Sequence, residues 1–344
     1  MVKRKAKAKK SISRKAKAKP KRNTKHTERK TKTPKYSSKE KVFGLIELGR
    51  PLEWSKTLLN MFLAAMMAFY VFGIRPLDLG IFVIGFISVA FLWSALYALN
   101  DYTDRFIDAQ HRVKKNRPIP SGKVSPACAL KFVGLLLIIS FGIAYYLNNF
   151  LLGMCLLIMV ANQLLYTMEP YRLKSRKYID FVSGSMINPI FRYFSGMVLF
   201  VPAGILFFNQ TPILPLLFVI CMQFGGYSLY RLFSKKDDKK FKMESSVAKI
   251  SENKVKMVSY FAIGVAILSY ILMLVNGSTY RSLSLGYLPQ QFAWALVLPL
   301  LFIPLLKDAI LNPGKASMKT SYRAIYVMNI AFISANILIF ILAP

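Results

Sequence analysis

After residue 55 the chain alternates long apolar runs with short polar loops. Nine of these runs are long enough to cross a bilayer, whose hydrocarbon core of about 30 Å takes roughly 20 helical residues. Because backbone polar groups find no water inside lipid, segments of this length are predicted to be helices. The sequence therefore predicts an all-α, polytopic membrane protein with nine transmembrane helices. The predicted spans are residues 56–73, 79–98, 126–147, 149–168, 178–201, 212–233, 256–276, 289–308 and 323–342.

The distribution of basic residues between the loops predicts the orientation. Loops 101–124, 169–177, 231–255 and 309–322 each carry several Lys or Arg residues. In the loops on the opposite side, the only basic residues are Arg75 and Arg281. Cytoplasmic loops of membrane proteins are enriched in Lys and Arg. We therefore expect an integral protein of the cell (plasma) membrane, with its N-terminus in the cytoplasm and its C-terminus outside.

Residues 1–42 have a different composition from the rest of the chain. They hold 19 Lys or Arg and two acids, in a protein whose formal net charge is +33. Such a segment buries too little apolar surface to offset its chain entropy, so it is predicted to be a disordered tail ahead of a membrane domain at 43–344. Its partner is either the anionic headgroups of membrane lipids or the phosphates of a nucleic acid. Lipid is favoured, because the tail lacks interleaved aromatic residues that would stack on bases.

Acidic residues concentrate directly after the second predicted span. Of the 13 acids outside the tail, three are Asp101, Asp104 and Asp108. Spacings of three and four place these carboxylates on one face of a helix, where they repel each other unless a cation lies between them. Oxygen ligands of this kind suit Mg²⁺, which also binds phosphate oxygens of a substrate. Lys115 and Arg117 follow at a position suited to holding the rest of a diphosphate. The alternative, a solvated acidic turn, does not explain why an otherwise basic surface gathers its acids here.

These residues resemble a known family motif. Residues 100–108 read Asn-Asp-x-x-Asp-x-x-x-Asp and residues 116–123 read Asn-Arg-Pro-Ile-Pro-Ser-Gly-Lys. Together they resemble the first aspartate-rich motif of the UbiA superfamily of intramembrane prenyltransferases. Further matches are Arg50-Pro51 with Trp54 and Lys56, and Tyr166 followed by Pro170-Tyr171-Arg172-Leu173-Lys174. The resemblance covers residues 45–344 and implies nine helices around a central cavity.

The resemblance also implies an activity and a role for each motif residue. The activity is Mg²⁺-dependent transfer of a polyprenyl group from an isoprenoid diphosphate donor to a lipophilic acceptor. The three aspartates are the implied catalytic residues. The implied ligands of Mg²⁺ are Asn100, Asp101, Asp104 and Asp108. The implied substrate contacts are Asn100, Lys115, Arg117, Lys174 and Tyr166.

A second aspartate motif, usually Asp-x-x-x-Asp, follows the sixth helix in this superfamily and binds a second Mg²⁺. The chain departs from that pattern. Asp237 and Asp238 are the candidate ligands, but adjacent residues on a helix point about 100° apart. They are either metal ligands or charges that balance the neighbouring lysines.

The fifth predicted span is unusually polar. Ionisable residues within a span usually face a partner or a wet cavity. Asp180 and Arg192 are therefore predicted to line the substrate cavity. The branch of the superfamily that transfers phosphoribose to polyprenyl phosphate resembles this helix, with an Asp at its start and an Arg before its Gly.

Two other functions stay open at this point. Phosphoribosyl transfer to a polyprenyl phosphate uses the same chemistry, because its donor is also a Mg²⁺-bound diphosphate. A non-enzymatic transporter or membrane anchor is less favoured, because the chain shows no internal repeat and its charges lie at the cytoplasmic rim. No protein partner is inferred.

Overall fold

A computed structural model describes the backbone of residues 36–342, apart from 112, 209–211, 241–244, 277–284 and 313–317. Residues Lys35–Pro344 form one compact unit. Residues 1–35, which hold most of the predicted tail, lie outside the described part of the chain.

All regular secondary structure in the described ranges is helical, which confirms the predicted fold class. The α-helices are α1 (Ser38–Gly49), α2 (Trp54–Tyr70), α3 (Leu79–Asp108), α4 (Pro126–Tyr146), α5 (Phe150–Thr167), α6 (Ile179–Phe181), α7 (Ile187–Met197), α8 (Ala203–Phe208), α9 (Ile213–Leu232), α10 (Lys235–Lys240), α11 (Ser246–Lys249), α12 (Glu252–Val275), α13 (Trp294–Leu300), α14 (Ile303–Leu311) and α15 (Met318–Leu342).

The nine predicted spans all fall on helices, but only some are single long helices. Among the described residues, α3, α4, α5, α9, α12 and the 325–342 part of α15 are long and apolar enough to cross a membrane. Of the remaining three, α2 has 17 residues, the fifth span is α6 and α7 joined by a π-helical turn, and the eighth is divided between α13 and α14. The chain is thus an integral membrane protein. The count of nine crossings and the central cavity stay predictions.

Helix α1 begins inside the segment 1–42 that is predicted to be disordered. Its first turn is closed by a capping box, in which the Ser37 Oγ accepts from the Glu40 N–H and the Glu40 carboxylate accepts from the Ser37 N–H. At its other end Leu48 is fully buried against α3 and α4. These contacts stabilise a helix at residues 38–42, although the composition of that segment favours disorder.

Close contacts between neighbouring helices fix how α2 packs on α7 and how α3 packs on α4. At Gly196 on α7, a Cβ would lie 2.5 Å from the Met61 carbonyl oxygen of α2, so only glycine permits this crossing. Ser88 of α3 and Ser140 of α4 each donate to the other's carbonyl oxygen, at 2.8 and 2.9 Å. Small residues and hydrogen bonds of this kind let helices pack closely within a bilayer. They set where the polar side chains of α2, α3 and α7 lie.

Candidate functional site

The predicted second span ends at residue 98, whereas α3 continues to Asp108. Residues 101–108, assigned to the loop after the second span although the spacing of their aspartates predicts one face of a helix, therefore form the last turns of α3. Like charges at three- and four-residue spacings weaken a helix, but here every carboxylate has a cation partner. Those partners come from other parts of the chain, so the extension depends on tertiary contacts.

Asp101 and Asp108 share one guanidinium. The Arg117 Nη1 lies 2.9 Å from the Asp101 Oδ1 and 2.7 Å from the Asp108 Oδ2. The Arg50 Nη2 adds a contact of 2.5 Å to Asp101, and the Lys114 Nζ lies 3.8 Å from the Asp108 Oδ1. The two aspartates are 2 % and 1 % exposed, so their charges depend on these partners.

Asp104 has a separate set of cations. The Lys174 Nζ donates to the Asp104 Oδ1 at 2.7 Å and to the Asn100 Oδ1 at 3.0 Å. The Arg172 Nη2 donates to the same Asp104 oxygen at 3.1 Å. The Thr167 Oγ1, at the end of α5, accepts from Lys174 at 2.8 Å. The structure thus brings Asn100, predicted from the motif, and Lys174 together around Asp104.

The ammonium groups of this cluster are short of negative charge. Burial lowers the pKa of Lys174, although Asp104 offsets part of that effect. Burial and the charge of Arg117 likewise lower the pKa of Lys114. An added anion would favour the charged form of both groups. Because five cationic side chains contact three carboxylates, the cluster carries excess positive charge and suits an anion better than a cation alone.

The donor atoms fit a hard metal ion that arrives with such an anion. Five cationic side chains face three carboxylates at the end of α3. Within the described ranges, no three His, Cys, Asp or Glu side chains are already grouped around a single point. The oxygens of the three aspartates and of Asn100 are nevertheless the ligand type that Mg²⁺ takes, and they lie beside cations able to hold phosphate oxygens. We call this set of eight charged side chains and Asn100 the α3 acid cluster.

Two predicted contacts lie outside the α3 acid cluster. Lys115 is exposed, whereas its neighbour Lys114 turns towards Asp108 from the short 3₁₀ turn Lys114–Asn116. The Tyr166 hydroxyl is hydrogen-bonded to that of Tyr227, at 2.6 Å. Substrate contacts by Lys115 and Tyr166 stay predictions.

The other predicted acids fasten a loop. Asp180 is fully buried and accepts from the Ser246 N–H at 3.0 Å and from its hydroxyl. Asp238 accepts from the Arg231 Nη2 at 2.8 Å and from the Ser245 Oγ at 2.7 Å. We call these contacts the loop anchor, because they tie the start of α11 to α6 and α9. The side chain of Asp237 lies outside the described residues, and a second metal site stays a prediction.

Arg192 lies deeper in the protein, apart from the aspartates. It is 2 % exposed, and its guanidinium carbon lies 3.8 Å from the centre of the Trp93 ring. The Gln223 Oε1 accepts from it at 3.3 Å and the Tyr97 hydroxyl at 3.4 Å. The position of Arg192 in the wall of the substrate cavity, and its contact with substrate, stay predictions.

Sequence reasoning assigned no role to several residues that the structure places at the site. Arg50, Lys114 and Arg172 complete the α3 acid cluster. Glu53 is 5 % exposed, with its carboxylate 2.7 Å from the Lys56 Nζ. Burial by itself raises the pKa of Glu53, but the charges of Lys56 and Arg50 outweigh it and hold that pKa at about 2. Glu53 could have been identified from sequence, because it is an acid directly before an apolar run in a chain with few acids.

Known proteins resemble this chain in sequence and fold. The family model described as the UbiA prenyltransferase family matches residues 59–332. The digeranylgeranylglyceryl phosphate synthase of Methanopyrus kandleri is 33 % identical over 142 residues, which are 41 % of this chain and 48 % of that protein. The decaprenyl-phosphate phosphoribosyltransferase of Mycolicibacterium smegmatis is 33 % identical over 158 residues, 44 % of this chain and 48 % of that one.

A solved structure supports the same fold. A UbiA homologue from Archaeoglobus fulgidus, solved with GPP and Mg²⁺, has a TM-score of 0.61 at 16 % identity, covering 86 % of this chain and 99 % of that one. The chain spans less than half the length of the first curated relatives it matches. The family match nevertheless extends over most of the membrane domain, and it contains all three aspartates of the α3 acid cluster. The chain belongs to the UbiA prenyltransferase family.

Proposed function

We propose that this protein catalyses Mg²⁺-dependent transfer of a polyprenyl group from an isoprenoid diphosphate to a lipophilic acceptor within the membrane. The observation that carries the proposal is the α3 acid cluster, where three carboxylates and five cations meet at one end of an apolar helix. Family membership supports it, since relatives are named as prenyltransferases and a structural neighbour holds GPP with Mg²⁺.

The chemistry follows from charge development on the leaving group. The bond between C1 of the prenyl chain and the diphosphate oxygen breaks, a bond from C1 to the acceptor forms, and the acceptor releases a proton. Asn100, Asp101, Asp104 and Asp108 would hold Mg²⁺, which supplies part of the positive charge that stabilises the departing diphosphate.

The chain's own cations supply the rest of that charge. Arg117 and Lys174 now contact carboxylates, and they are placed to exchange part of those bonds for phosphate oxygens. Such preorganised charges in a water-poor site stabilise a developing anion strongly. Binding is thus an exchange of partners within an assembled cluster.

The substitution Asp104→Asn tests this assignment. We expect turnover of prenyl diphosphate by the purified protein to fall at least about 100-fold, because a charged metal ligand is lost. Asp78→Asn is the matched control, since Asp78 caps the opposite end of the same helix and asparagine also caps well. Full turnover by the Asp104→Asn protein, or by the wild type in excess EDTA, would contradict the proposal.

Phosphoribosyl transfer to a polyprenyl phosphate is the second candidate. The likeness to a decaprenyl-phosphate phosphoribosyltransferase and the buried Arg192 favour it. Membranes incubated separately with labelled prenyl diphosphate and labelled phosphoribosyl diphosphate distinguish the two. Product formed only from the phosphoribosyl donor would replace the first candidate with the second.

We further propose that the α3 acid cluster faces the cytoplasm, in the plasma membrane, with the C-terminus outside. The basic loop 101–124 supports this orientation. Residues 1–35 would then contact anionic lipid headgroups. A protein lacking residues 2–35 should bind vesicles containing phosphatidylserine less tightly at low salt than the full chain, and equal binding would contradict this role.

A further inference from the structure

Helix α1 carries an exposed apolar face. The side chains of Val42, Phe43 and Ile46 are 57, 63 and 53 % exposed. Since successive residues of a helix are rotated by 100°, these three side chains point within an arc of about 100°. The buried residues Gly44 and Leu48 lie on the other side of the helix, against the rest of the protein. A contiguous exposed apolar face of this kind marks an interaction surface.

The C-terminal end of α1 lies at the depth of the apolar spans. The Gly49 carbonyl oxygen accepts from the Ser94 Oγ at 2.8 Å, and a Cβ at Gly49 would lie 3.5 Å from the Phe132 ring. Ser94 is about 6 Å inside the end of the apolar run of α3, and Phe132 is about 9 Å from the start of α4. Ile46 is about 4.5 Å along α1 from Gly49, so it lies beside lipid.

The charges around this face also favour lipid as its partner. Lys39 points into the same arc of α1 as Phe43 and Ile46, one turn nearer the N-terminus. Residues 1–42 hold 19 Lys or Arg and two acids. Basic residues beside an apolar helix face suit a membrane interface, where headgroups contact the charges and acyl chains contact the apolar side chains. A second copy of an equally basic chain would be repelled.

Polar contacts tie α1 to the segment that follows Arg117. The Tyr36 hydroxyl, just before α1, donates to the Ser121 carbonyl oxygen at 3.2 Å. The Lys123 Nζ lies 3.1 Å from the Glu47 Oε2. Both ends of α1 are therefore joined to residues 119–124, which begin two positions after Arg117 in the chain.

Apolar packing strengthens the same attachment. Leu48 is fully buried in one cluster with Ile119 and Val124. At Gly44, a Cβ would lie 2.9 Å from both the Lys123 Cδ and the Val124 Cγ2. The absence of a side chain at Gly44 thus lets α1 lie directly on residues 119–124.

The two guanidinium groups that meet on Asp101 are both attached to α1. Arg50 follows α1 directly, in the left-handed region with a φ of 49°. A non-glycine residue adopts this conformation at a cost, so the contacts around it have to maintain it. The Arg50 Nη2 lies 2.5 Å and the Arg117 Nη1 2.9 Å from the same Asp101 oxygen. Arg50 is held by the end of α1, and Arg117 through residues 119–124.

We propose that α1 is an interfacial helix whose Val42, Phe43 and Ile46 side chains lie among the lipids of the leaflet next to the α3 acid cluster, and that it thereby positions Arg50 and Arg117 for diphosphate. The positioning role rests on the proposed function, because it takes the α3 acid cluster as the diphosphate site. Burial of the apolar face in lipid stabilises the docked helix. The leaflet therefore strengthens diphosphate binding without contacting the diphosphate.

Photochemical cross-linking tests what covers the apolar face. We place p-benzoylphenylalanine at position 42 or position 40 of the full-length protein in vesicles that contain phosphatidylglycerol, since the two positions point about 160° apart. We expect illumination to attach lipid to the α1 peptide from position 42 and far less from position 40, as measured by mass spectrometry. Equal attachment from both positions would overturn the proposal. Cross-linked dimers from position 42 would show that a second copy covers the face instead.

Binding of inorganic diphosphate with Mg²⁺ tests the positioning role. The full-length protein is titrated in nanodiscs that contain phosphatidylglycerol, and Arg117→Gln gives the background from the basic tail. The double variant Phe43→Ser/Ile46→Ser should raise the Kd about tenfold, as the loss of one charge-assisted contact does. Ile138→Ser on α4, where Ile138 is 72 % exposed, is the matched control and should keep the wild-type Kd. An unchanged Kd in the double variant would overturn the positioning role.

Gly44→Leu separates lipid contact from positioning. Its side chain would push α1 away from Val124 and leave the apolar face intact. We expect weaker diphosphate binding, with lipid attachment from position 42 retained. A lower thermal midpoint with an unchanged Kd would show that α1 only stabilises the fold, and would overturn the positioning role.

These outcomes are independent of the proposed function. Neither measurement uses turnover, so a wild-type protein that fails to consume prenyl diphosphate would contradict the proposed function alone. Wild-type turnover together with unchanged diphosphate binding in Phe43→Ser/Ile46→Ser and Gly44→Leu would contradict the positioning role alone.

Discussion

The α3 acid cluster and the loop anchor use the same residue types with opposite consequences. In the α3 acid cluster, one guanidinium serves two carboxylates, and Lys174 contacts three oxygens. In the loop anchor, Asp180 accepts both of its bonds from Ser246 on α11, and Asp238 accepts from Arg231 and Ser245. A cation shared by two carboxylates can give up one contact to a phosphate oxygen and keep the other. An acid bound by backbone and hydroxyl donors instead holds a segment of the chain in place. The pattern of partners therefore separates acids suited to chemistry from acids that shape the fold.

Of the substitutions that test this difference between the two sets of acids, a change of Arg117 is expected to have the largest effect on activity. Arg117→Gln removes the cation that Asp101 and Asp108 share, and leaves them with only Arg50 and Lys114 respectively. We expect kcat/KM for the prenyl donor to fall about 100-fold or more. Arg117→Lys should recover only part of it, because an ammonium lacks the fork that reaches both acids. Wild-type kinetics in Arg117→Gln would show that the bridge plays no part in turnover.

Asp180→Asn should affect stability more than catalysis. The change weakens the bonds to the Ser246 N–H and hydroxyl, at a cost of about 1–3 kcal/mol in the free energy of unfolding. The thermal midpoint in detergent should therefore fall, while kcat measured well below that midpoint changes little. A large loss of kcat at an unchanged thermal midpoint would instead indicate that Asp180 takes part in substrate binding, as the sequence predicts.

The smallest effect is expected from a pair of neighbouring lysines. Lys114→Ala should raise the KM for the diphosphate donor about tenfold, because its ammonium lies beside Asp108. Lys115→Ala, at the exposed adjacent position, should leave KM within about twofold, as most surface changes do. Equal effects of the two substitutions would contradict the geometry of the 3₁₀ turn.

Hydropathy was sufficient to locate the helices but not their polar ends. All nine predicted spans coincide with helices, because a segment that crosses lipid must be apolar along its length and helical. The apolar run ends at residue 98 and does not show that α3 continues to Asp108, since that extension depends on cations up to 74 positions away in the sequence. Periodicity within one helix cannot report such partners.

The site was predictable where residue type and spacing carried the chemistry. Arg117 contacts Asp101 and Asp108, whereas Asp104 contacts Arg172 and Lys174. The catalytic role of these residues stays a prediction. Lys115 was chosen over Lys114, since sequence gives no sign of which lysine a short turn directs inward. Asp238 is a candidate metal ligand because the family's second aspartate motif follows the sixth helix, and sequence does not show that it bonds to Arg231 instead.

The contact of Gly196 with Met61 has a consequence for selectivity. Met61 belongs to the same packed group as Leu92 and Trp93, so α2, α3 and α7 cannot slide past one another without opening that group. The difference in depth between the Arg192 guanidinium on α7 and the carboxylates on α3 is therefore fixed by packing. A substrate that contacts both levels would have to match that distance, whatever the length of its hydrocarbon tail.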